Sequence, residues 1–341
     1  MHTNPRPSVA RRTLLALASL KFTLLIIIIL VVGIAIIYQT KTRYVWALAV
    51  PFAAFAVNLS AAVATNPVFR RQTALLVFHL ALITIVLLIA AGRLTYFKGH
   101  TELVEGDIFT SQMVFEESGP WHPRHLQALH FSNDGFAISY AKAMKRGGIR
   151  NQVSWTTPDG RSGQSVIGDQ YPLLLAGYRI YATANKGFAP VFRWHPDGGQ
   201  EQVGAIHMPS YPRMKYKQTN EWQPPGSHEK LWIMLQIDEE IIPLDQPSEF
   251  RLPTKQQLVV RLGEQRHALK PGDSLRLPEG KLTFLELRKW MGYDISYDFT
   301  LPWLLAASLL AVLSMAWHFW QKFSAKPWNA TPDDSQLPPS L

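Results

Sequence analysis

Four long stretches without a charged side chain constrain most strongly how this chain of 341 residues can fold. None of them contains Asp, Glu, Lys or Arg, and they cover residues 22–40, 44–69, 72–92 and 299–321. A bilayer core about 30 Å thick is crossed by about 20 apolar residues at about 1.5 Å each. The sequence therefore predicts a membrane protein with four transmembrane α-helices, three N-terminal and one C-terminal. We interpret the first stretch as an uncleaved helix, because residues 24–37 are long for the apolar core of a signal peptide.

Positive charge is distributed unevenly over the predicted helix ends. The N-terminal tail, the second loop and the C-terminal tail carry eight cations: Arg6, Arg11, Arg12, Lys21, Arg70, Arg71, Lys322 and Lys326. The first loop carries two, Lys41 and Arg43. Because cytoplasmic loops collect Lys and Arg, both termini are expected in the cytoplasm.

This orientation divides the chain into five predicted parts. They are a cytoplasmic tail (1–21), a three-helix transmembrane region (22–92), an extracytoplasmic domain (93–298), a fourth helix (299–321) and a second cytoplasmic tail (322–341). The extracytoplasmic part holds 24 basic and 23 acidic residues, so the net charge of +9 reflects membrane topology. The positive net charge therefore gives no reason to expect a nucleic-acid partner.

The long segment 93–298 has the pattern of a β-rich domain. Runs of β-branched and aromatic residues recur at 136–140, 153–157, 178–183, 189–194, 203–207, 231–237, 257–262 and 282–287. Turn sequences containing Gly lie between several of them, as hairpins require. Residues 218–228 are rich in Pro, Gly and polar side chains, which is typical of a loop. We therefore predict a large extracytoplasmic domain of antiparallel β-structure.

Several kinds of chemistry are excluded by composition. The chain has no cysteine, which excludes disulfides, Cys-ligated zinc, iron–sulfur clusters and thiol redox motifs. No nucleophile elbow, phosphate loop or paired-carboxylate signature is present. We therefore assign no catalytic residue and no metal ligand.

Short motifs spread along the chain resemble those of one family. In chain order they are residues 19–25 (SLKFTLL), Asn58 and Leu59 before Arg70 and Arg71, residues 78–82 (FHLAL), and residues 186–190 (KGFAP). With the order of helices and outer domain, they resemble the ResB-like (CcsB) family of cytochrome c biogenesis proteins, of the pathway called system II. The resemblance covers nearly the whole chain. It departs from the family pattern after the first helix, at 33–39, and before the last, where 298–300 (DFT) replaces Asp-Pro-Gly.

The resemblance implies a function in the bacterial inner (cytoplasmic) membrane. Family members act with a ResC/CcsA-like membrane protein, move haem outward and present it to apocytochrome c for ligation. Haem b would be bound non-covalently and shared with the partner subunit. The chain would contact that partner, apocytochrome c and membrane lipid. Since it has no catalytic signature of its own, any enzymatic activity would belong to a haem lyase complex of which it is a component.

The resemblance places the family's haem-ligating histidine of the third helix at His79. Polar side chains inside a bilayer are costly and usually mark a functional site, and neutral imidazole is an axial ligand of haem iron. The alternative is that His79 only joins helices, through a hydrogen bond to Asn58 or to a helical carbonyl.

Other polar side chains near the predicted membrane boundaries are weaker candidates for haem binding. Arg70 and Arg71 set topology by default, and could also pair with haem propionates because guanidinium matches carboxylate in a bidentate way. His318 lies near the inner interface, where it is either an interfacial side chain or a further haem ligand.

The histidines of the outer segment carry no clear site. His122, His125 and His130 are expected on a solvated surface rather than around a metal ion. His195 and His207 lie at predicted strand ends, with no partner visible in the sequence.

A second function, of another class, remains open. The chain could be a structural docking subunit that binds no haem, with helices that anchor the β-rich domain for a periplasmic redox enzyme.

Overall fold

The computed structural model describes residues 8–40 and 44–324. Four cations counted above for orientation lie outside the described residues: Arg6, Lys41, Arg43 and Lys326. Most of the predicted C-terminal tail lies outside them too. The chain divides into two compact units. The helical unit is formed by the described parts of Met1–Tyr96, Gly119–His122 and Asp298–Leu341, and the β unit by Phe97–Ser118 and Pro123–Tyr297.

The helical unit contains six described helices. They are α1 (Val9–Leu17), α2 (Leu20–Thr40), α3 (Trp46–Thr65), α4 (Val68–Arg71), α5 (Thr73–Thr95) and α6 (Leu301–Ser324). Four of these, α2, α3, α5 and α6, are long and apolar enough to cross a membrane, which confirms the four predicted spans. The helix α3, which corresponds to the second predicted stretch (44–69), ends at Thr65, because Asn66 and Pro67 interrupt it before α4. The short helix α1 was not predicted from the sequence.

The membrane-spanning helices pack as antiparallel neighbours in the order α2, α3, α5, α6. Asn58 of α3 is buried and joins α3 to the start of α2: its side chain accepts a hydrogen bond from Thr23 Oγ1 at 2.9 Å and donates one to the Leu17 carbonyl at 2.6 Å. At the other end of this pair, Gly33 lets α2 approach α3 closely, since a Cβ there would lie 2.7 Å from the Ala47 carbonyl oxygen. Most other side chains of α2 and α6 are exposed, as expected of residues that face lipid.

A short segment, Gly119–His122, belongs to the helical unit although it lies within the predicted extracytoplasmic part. It covers the C-terminal end of α5. The Trp121 backbone N–H donates to the Leu94 carbonyl at 2.8 Å, and His122 Nδ1 donates to the Thr95 carbonyl at 3.0 Å. These bonds satisfy carbonyls that a helix end leaves without a partner. The Trp121 indole also lies edge-on to Trp46, with centroids 6.1 Å apart.

The β unit consists of antiparallel sheets, as predicted. Its described strands are β1 (Phe97–Val104), β2 (Phe115–Ser118), β3 (His130–Ala141), β4 (Lys145–Thr156), β5 (Ser162–Ile167), β6 (Leu173–Leu175), β7 (Tyr178–Pro196), β8 (Gln202–Ala205), β9 (Thr219–Trp222), β10 (Leu231–Ile237), β11 (Ser248–Glu249), β12 (Gln256–Leu262), β13 (Gln265–Leu269), β14 (Ser274–Leu277) and β15 (Gly280–Tyr297). A seven-stranded sheet has the order β2-β1-β15-β7-β6, with β14 beside β15 and β8 beside β7. Two four-stranded sheets have the orders β13-β12-β10-β9 and β11-β3-β4-β5.

The strands β7 and β15 form the centre of the large sheet and pair along almost their whole length. The predicted runs 178–183 and 189–194 are therefore parts of one strand of 19 residues. Its inner side chains, such as Phe188, Phe192 and Trp194, lie in a core shared with the other sheets. The prediction of a loop at 218–228 is wrong in part, because Thr219–Trp222 form the strand β9, which pairs with β10.

Candidate functional site

His79 lies in the first half of α5 and is half-buried. Its Nδ1 is 2.8 Å from the carbonyl oxygen of Leu75, four residues earlier in the same helix. Because a carbonyl oxygen can only accept, this contact places the proton on Nδ1. In the tautomer that this contact selects, Nε2 carries the lone pair through which imidazole binds metal.

Two phenyl rings surround the His79 imidazole. Phe69 lies 4.6 Å away between ring centroids and Phe78 lies 5.3 Å away, both nearly edge-on. Asn58, one of the two partners considered for a purely structural His79, forms its hydrogen bonds with Thr23 and Leu17 instead. The helical carbonyl, the other partner, is the one found. This bond fixes the tautomer and leaves Nε2 without a hydrogen-bond partner among the described residues, so it is compatible with ligation.

Arg70 and Arg71 form the last turn of α4, which packs against the start of α5. Both side chains are exposed, and neither forms an ion pair with any residue in the described ranges. Arg71 is separated from α5 by Gln72, whose backbone (φ −121°, ψ 85°) is not helical. The two guanidinium groups are thus available to an anion at this end of α5.

His318 lies on the face of α6 that packs against α5, and is half-buried. It lines a cavity of about 390 Å³ together with Gln72, Gln321 and Lys322. His79 is on a different face of α5. At about 100° per residue it lies about 160° around the helix from Ala81, which lines the seam with α6. Among the described residues, no hydrogen bond or ring contact joins the two histidines.

The histidines of the outer segment differ from one another in environment. His125 and His130 are exposed, as predicted. The prediction is wrong for His122, which is 6% exposed because its ring caps the end of α5. Across the described part of the chain, no group of three or more His, Cys, Asp or Glu side chains could hold a metal ion.

A polar network in the β unit was not foreseen. His100 Nδ1 donates to Asp294 Oδ1 at 2.7 Å, and His207 Nδ1 donates to Glu102 Oε2 at 3.0 Å. The amide nitrogen of Asn185 joins the two pairs, since it lies 2.9 Å from Glu102 Oε1 and 3.3 Å from His100 Nε2. The network thus links β1, β7 and β15 to the segment after β8.

Neighbouring groups shift pKa values in and beside this network, and an aromatic ring packs against one of its histidines. The hydrogen bond to Asp294 raises the pKa of His100 above its usual value, against the opposing effect of burial. The His207 ring stacks on the indole of Trp290, with centroids 5.5 Å apart and planes 6° from parallel. His207, Glu102 and Asp107 line an open cavity of about 640 Å³. Burial raises the pKa of the Asp107 carboxyl above its usual value. No sequence signal predicts this cluster, because its members are up to 194 residues apart.

The motif 186–190 places a lysine in the core of the β unit. Lys186 is 2% exposed, and its Nζ donates to the Tyr211 carbonyl at 3.2 Å. The ammonium also lies over the rings of Tyr140 and Phe250, 5.3 and 5.0 Å from their centroids. Burial lowers the pKa of Lys186 to about 8.

The structure defines a class of membrane protein. Its members would have three spanning helices before an antiparallel β unit and one after it, with a histidine inside a span. Residues 58–202 match the model of the ResB-like family, so the resemblance predicted from the sequence is confirmed. The match supports a role in cytochrome c biogenesis. No curated protein matches the chain.

Among solved structures, the chain is similar to one described as "Cytochrome c Heme Lyase CcmF". The two are 13% identical, and the likeness covers 91% of this chain and 38% of the other, with a TM-score of 0.27. This chain thus spans well under half the length of that protein. The assignment to cytochrome c biogenesis rests on the family match.

Proposed function

We propose that this chain is a membrane subunit of a cytochrome c maturation complex, which delivers haem to apocytochrome c together with a ResC/CcsA-like membrane protein. The family match over 58–202 supports the general role. The single observation that supports the haem assignment is the hydrogen bonding of the His79 ring. Its Nδ1 is held by the Leu75 carbonyl and its Nε2 is left with a lone pair in an apolar span.

His79 fits an axial ligand of haem b for three reasons. Its Nε2 has no hydrogen-bond partner among the described residues, its orientation is restrained by Phe69 and Phe78, and the hydrogen bond on Nδ1 is of the kind that commonly orients histidine ligands. Haem, when bound, supplies the iron and the porphyrin that the client receives. The chain's own part is to bind, orient and shield it.

Arg70 and Arg71 would hold the carboxylates of the same group. Both side chains are exposed in α4, just before the start of α5. Neither has a carboxylate partner in the described chain. A guanidinium pairs with a carboxylate through two parallel hydrogen bonds, which would fix the direction in which haem enters.

The partner protein would complete the site. His79 would supply one ligand, and no hydrogen bond or ring contact joins it to His318 among the described residues, so a second ligand would come from another subunit. The chain has no thiol, so reduction of the apocytochrome cysteines would fall to another protein. We place the complex in the bacterial inner membrane, with both termini of this chain in the cytoplasm, because of the distribution of cations.

His79→Ala tests this proposal. In the complex co-purified with its partner, the variant should lose most of the Soret absorbance and stop maturation of cytochrome c. Added imidazole should restore part of both, because a free ring can enter the vacated axial position. His318→Ala is the matched control, a histidine in the same unit with no described hydrogen bond or ring contact to His79, and should keep most of the haem.

Two other outcomes would contradict the assignment. If His318→Ala abolished haem binding while His79→Ala did not, the site would lie on α6. If neither substitution changed haem content but loss of the protein still stopped maturation, the docking subunit without haem would be the better description.

A further inference from the structure

The seam between α5 and α6 contains two cavities of opposite character. The first is a groove of about 410 Å³ with an almost wholly apolar lining. Side chains of both helices form it, among them Val77, Ala81 and Leu88 of α5 and Trp303, Ala307 and Leu310 of α6. The only polar side-chain groups in this lining are the Thr84 hydroxyl and the Trp303 indole N–H, so an aliphatic chain would contact mainly hydrocarbon.

The second cavity, at one end of the same seam, is polar. It has a volume of about 390 Å³ and is lined by Gln72, His318, Gln321 and Lys322. Each of these four side chains can donate a hydrogen bond, and Lys322 carries a full positive charge. The cavity is therefore suited to an acceptor with a negative charge.

On α6, helix geometry places the lining residues of the two cavities in line. Trp303 and Gln321 are 18 residues apart on α6, which is about five full turns, so they lie on the same face. Ala307, Ala311 and Ser314, the buried positions of α6, follow this face between them. On α5, Ala81 is about 13 Å along the axis from Gln72, close to the thickness of about half a bilayer core.

Charge at this end of the helical unit is of one sign. The described residues 8–40 and 44–96, and those of α6, contain no Asp or Glu. Asp298 lies at the opposite end of α6, next to Gly92 near the end of α5. Lys21, Arg70 and Arg71 lie at the same end as Lys322, so no described residue at this end repels an anion.

We propose that the α5–α6 seam binds one anionic phospholipid. Its phosphate lies in the polar cavity and accepts hydrogen bonds from Lys322, Gln321 and His318. One acyl chain runs along the apolar groove toward Ala81. The proposal rests on this geometry and is independent of the haem assignment, because His79 lines neither cavity. Basic pockets between spanning helices are the usual sites for such headgroups.

The test uses the full chain in nanodiscs that contain phosphatidylglycerol and phosphatidylcholine with identical acyl chains. After transfer to mild detergent, lipid that stays bound is measured by native mass spectrometry. We expect one retained lipid per chain and a preference of about fivefold for phosphatidylglycerol, the effect of about one lysine at a membrane surface. Equal retention of the two lipids by the wild-type chain would overturn the proposal, whatever the variants do.

Three variants locate the site. Lys322→Gln should remove most of the preference, while Lys21→Gln, the same change at the same membrane boundary outside the cavity, should leave it unchanged. Leu310→Trp should fill the groove and lower retention of both lipids. Equal effects of Lys322→Gln and Lys21→Gln would show a diffuse surface charge instead of a site.

Two further measurements separate other occupants. Soluble glycerol phosphate should compete weakly, because it lacks the acyl chain, and full competition would mean that the headgroup cavity acts alone. A Soret band that Lys322→Gln abolishes, in place of a lipid mass, would show that the seam holds haem and would contradict the proposal.

Discussion

Lys186 illustrates how much a single buried side chain can determine. Its ammonium lies in the core of the β unit with one backbone carbonyl and two aromatic rings around it, and burial lowers its pKa to about 8. Since the ordinary pKa is 10.5, the unfolded chain binds more protons than the folded one between these two values. Stability should therefore rise with pH across this window, because the folded state no longer has to bury a charge.

Lys186→Met tests this account. A shift from 10.5 to about 8 corresponds to about 3 kcal/mol at neutral pH. Part of it is offset in the variant by the lost hydrogen bond to Tyr211. We expect Lys186→Met to be more stable by about 2 kcal/mol at pH 7, and the difference to fall to zero or slightly below it by about pH 10.5, because the loss of the hydrogen bond remains. Thermal unfolding of the full chain at pH 7 and pH 10 measures it, with the exposed Lys281→Met as control. A difference that does not vary with pH would contradict the buried charge.

His100 should give the opposite slope. Asp294 raises its pKa, so the stabilisation is fully present below the ordinary value of 6.5 and is lost as pH rises through the higher folded value. Asp294→Asn removes the principal cause of the shift. We expect the variant to be less stable than the wild-type chain at pH 5.5 and nearly equal to it at pH 9. Unfolding midpoints at these two pH values measure this, and equal losses at both would show that the ion pair does not matter.

Residues of this kind mark the limit of sequence reasoning about the site. His79 could be selected from the sequence because an ionisable side chain inside an uncharged span is a local signal. Its tautomer could not, since it depends on which neighbour takes the hydrogen bond. His207 and Glu102 gave no signal, because their pairing depends on a fold that brings together positions 105 residues apart.

At the scale of elements, the spanning helices were predictable because membrane crossing demands a length and a composition that a sequence shows directly. The strand β7 was harder. Asn185, Lys186 and Gly187 interrupt its hydrophobic pattern and are poor strand formers, yet the strand continues through them, with pairing to β15 shifted in register between Met291 and Tyr293. Contacts made by the partner strand outweigh local propensity there.

Gly187 is required in β7 by its neighbour in β15. A Cβ at this position would lie 2.6 Å from Nε1 of Trp290, an indole that is 2% exposed and donates to the Met208 carbonyl. Gly187→Ala should therefore displace Trp290 and destabilise the protein by about 1–3 kcal/mol, the usual effect of overpacking. Gly204→Ala, in the adjacent strand β8 with no atom within 4 Å of the new Cβ, is the matched control. Unfolding midpoints compare the two, and an equal effect would contradict the close contact.

At the scale of the whole molecule, the helical unit has two distinct ends. The hydrogen bond between Thr23 and Asn58 places the start of α2 beside the end of α3, and the cavity of Gln72 and His318 places the start of α5 beside the end of α6. The cations Lys21, Arg70, Arg71 and Lys322 are thus grouped at one end. The β unit is joined to the chain at the opposite ends of α5 and α6.

This grouping makes the topology testable with single cysteines, because the natural chain has none to give background labelling. Glu264→Cys lies in the exposed turn between β12 and β13, and Val68→Cys lies in α4 between two spanning helices. Since Lys and Arg are retained on the cytoplasmic side, a membrane-impermeant maleimide should label Glu264→Cys in spheroplasts. It should label Val68→Cys only in inverted vesicles. The reverse pattern would place the β unit in the cytoplasm, where it could not meet a client outside the membrane. Labelling of both sites in spheroplasts would mean that one of the four apolar helices does not cross.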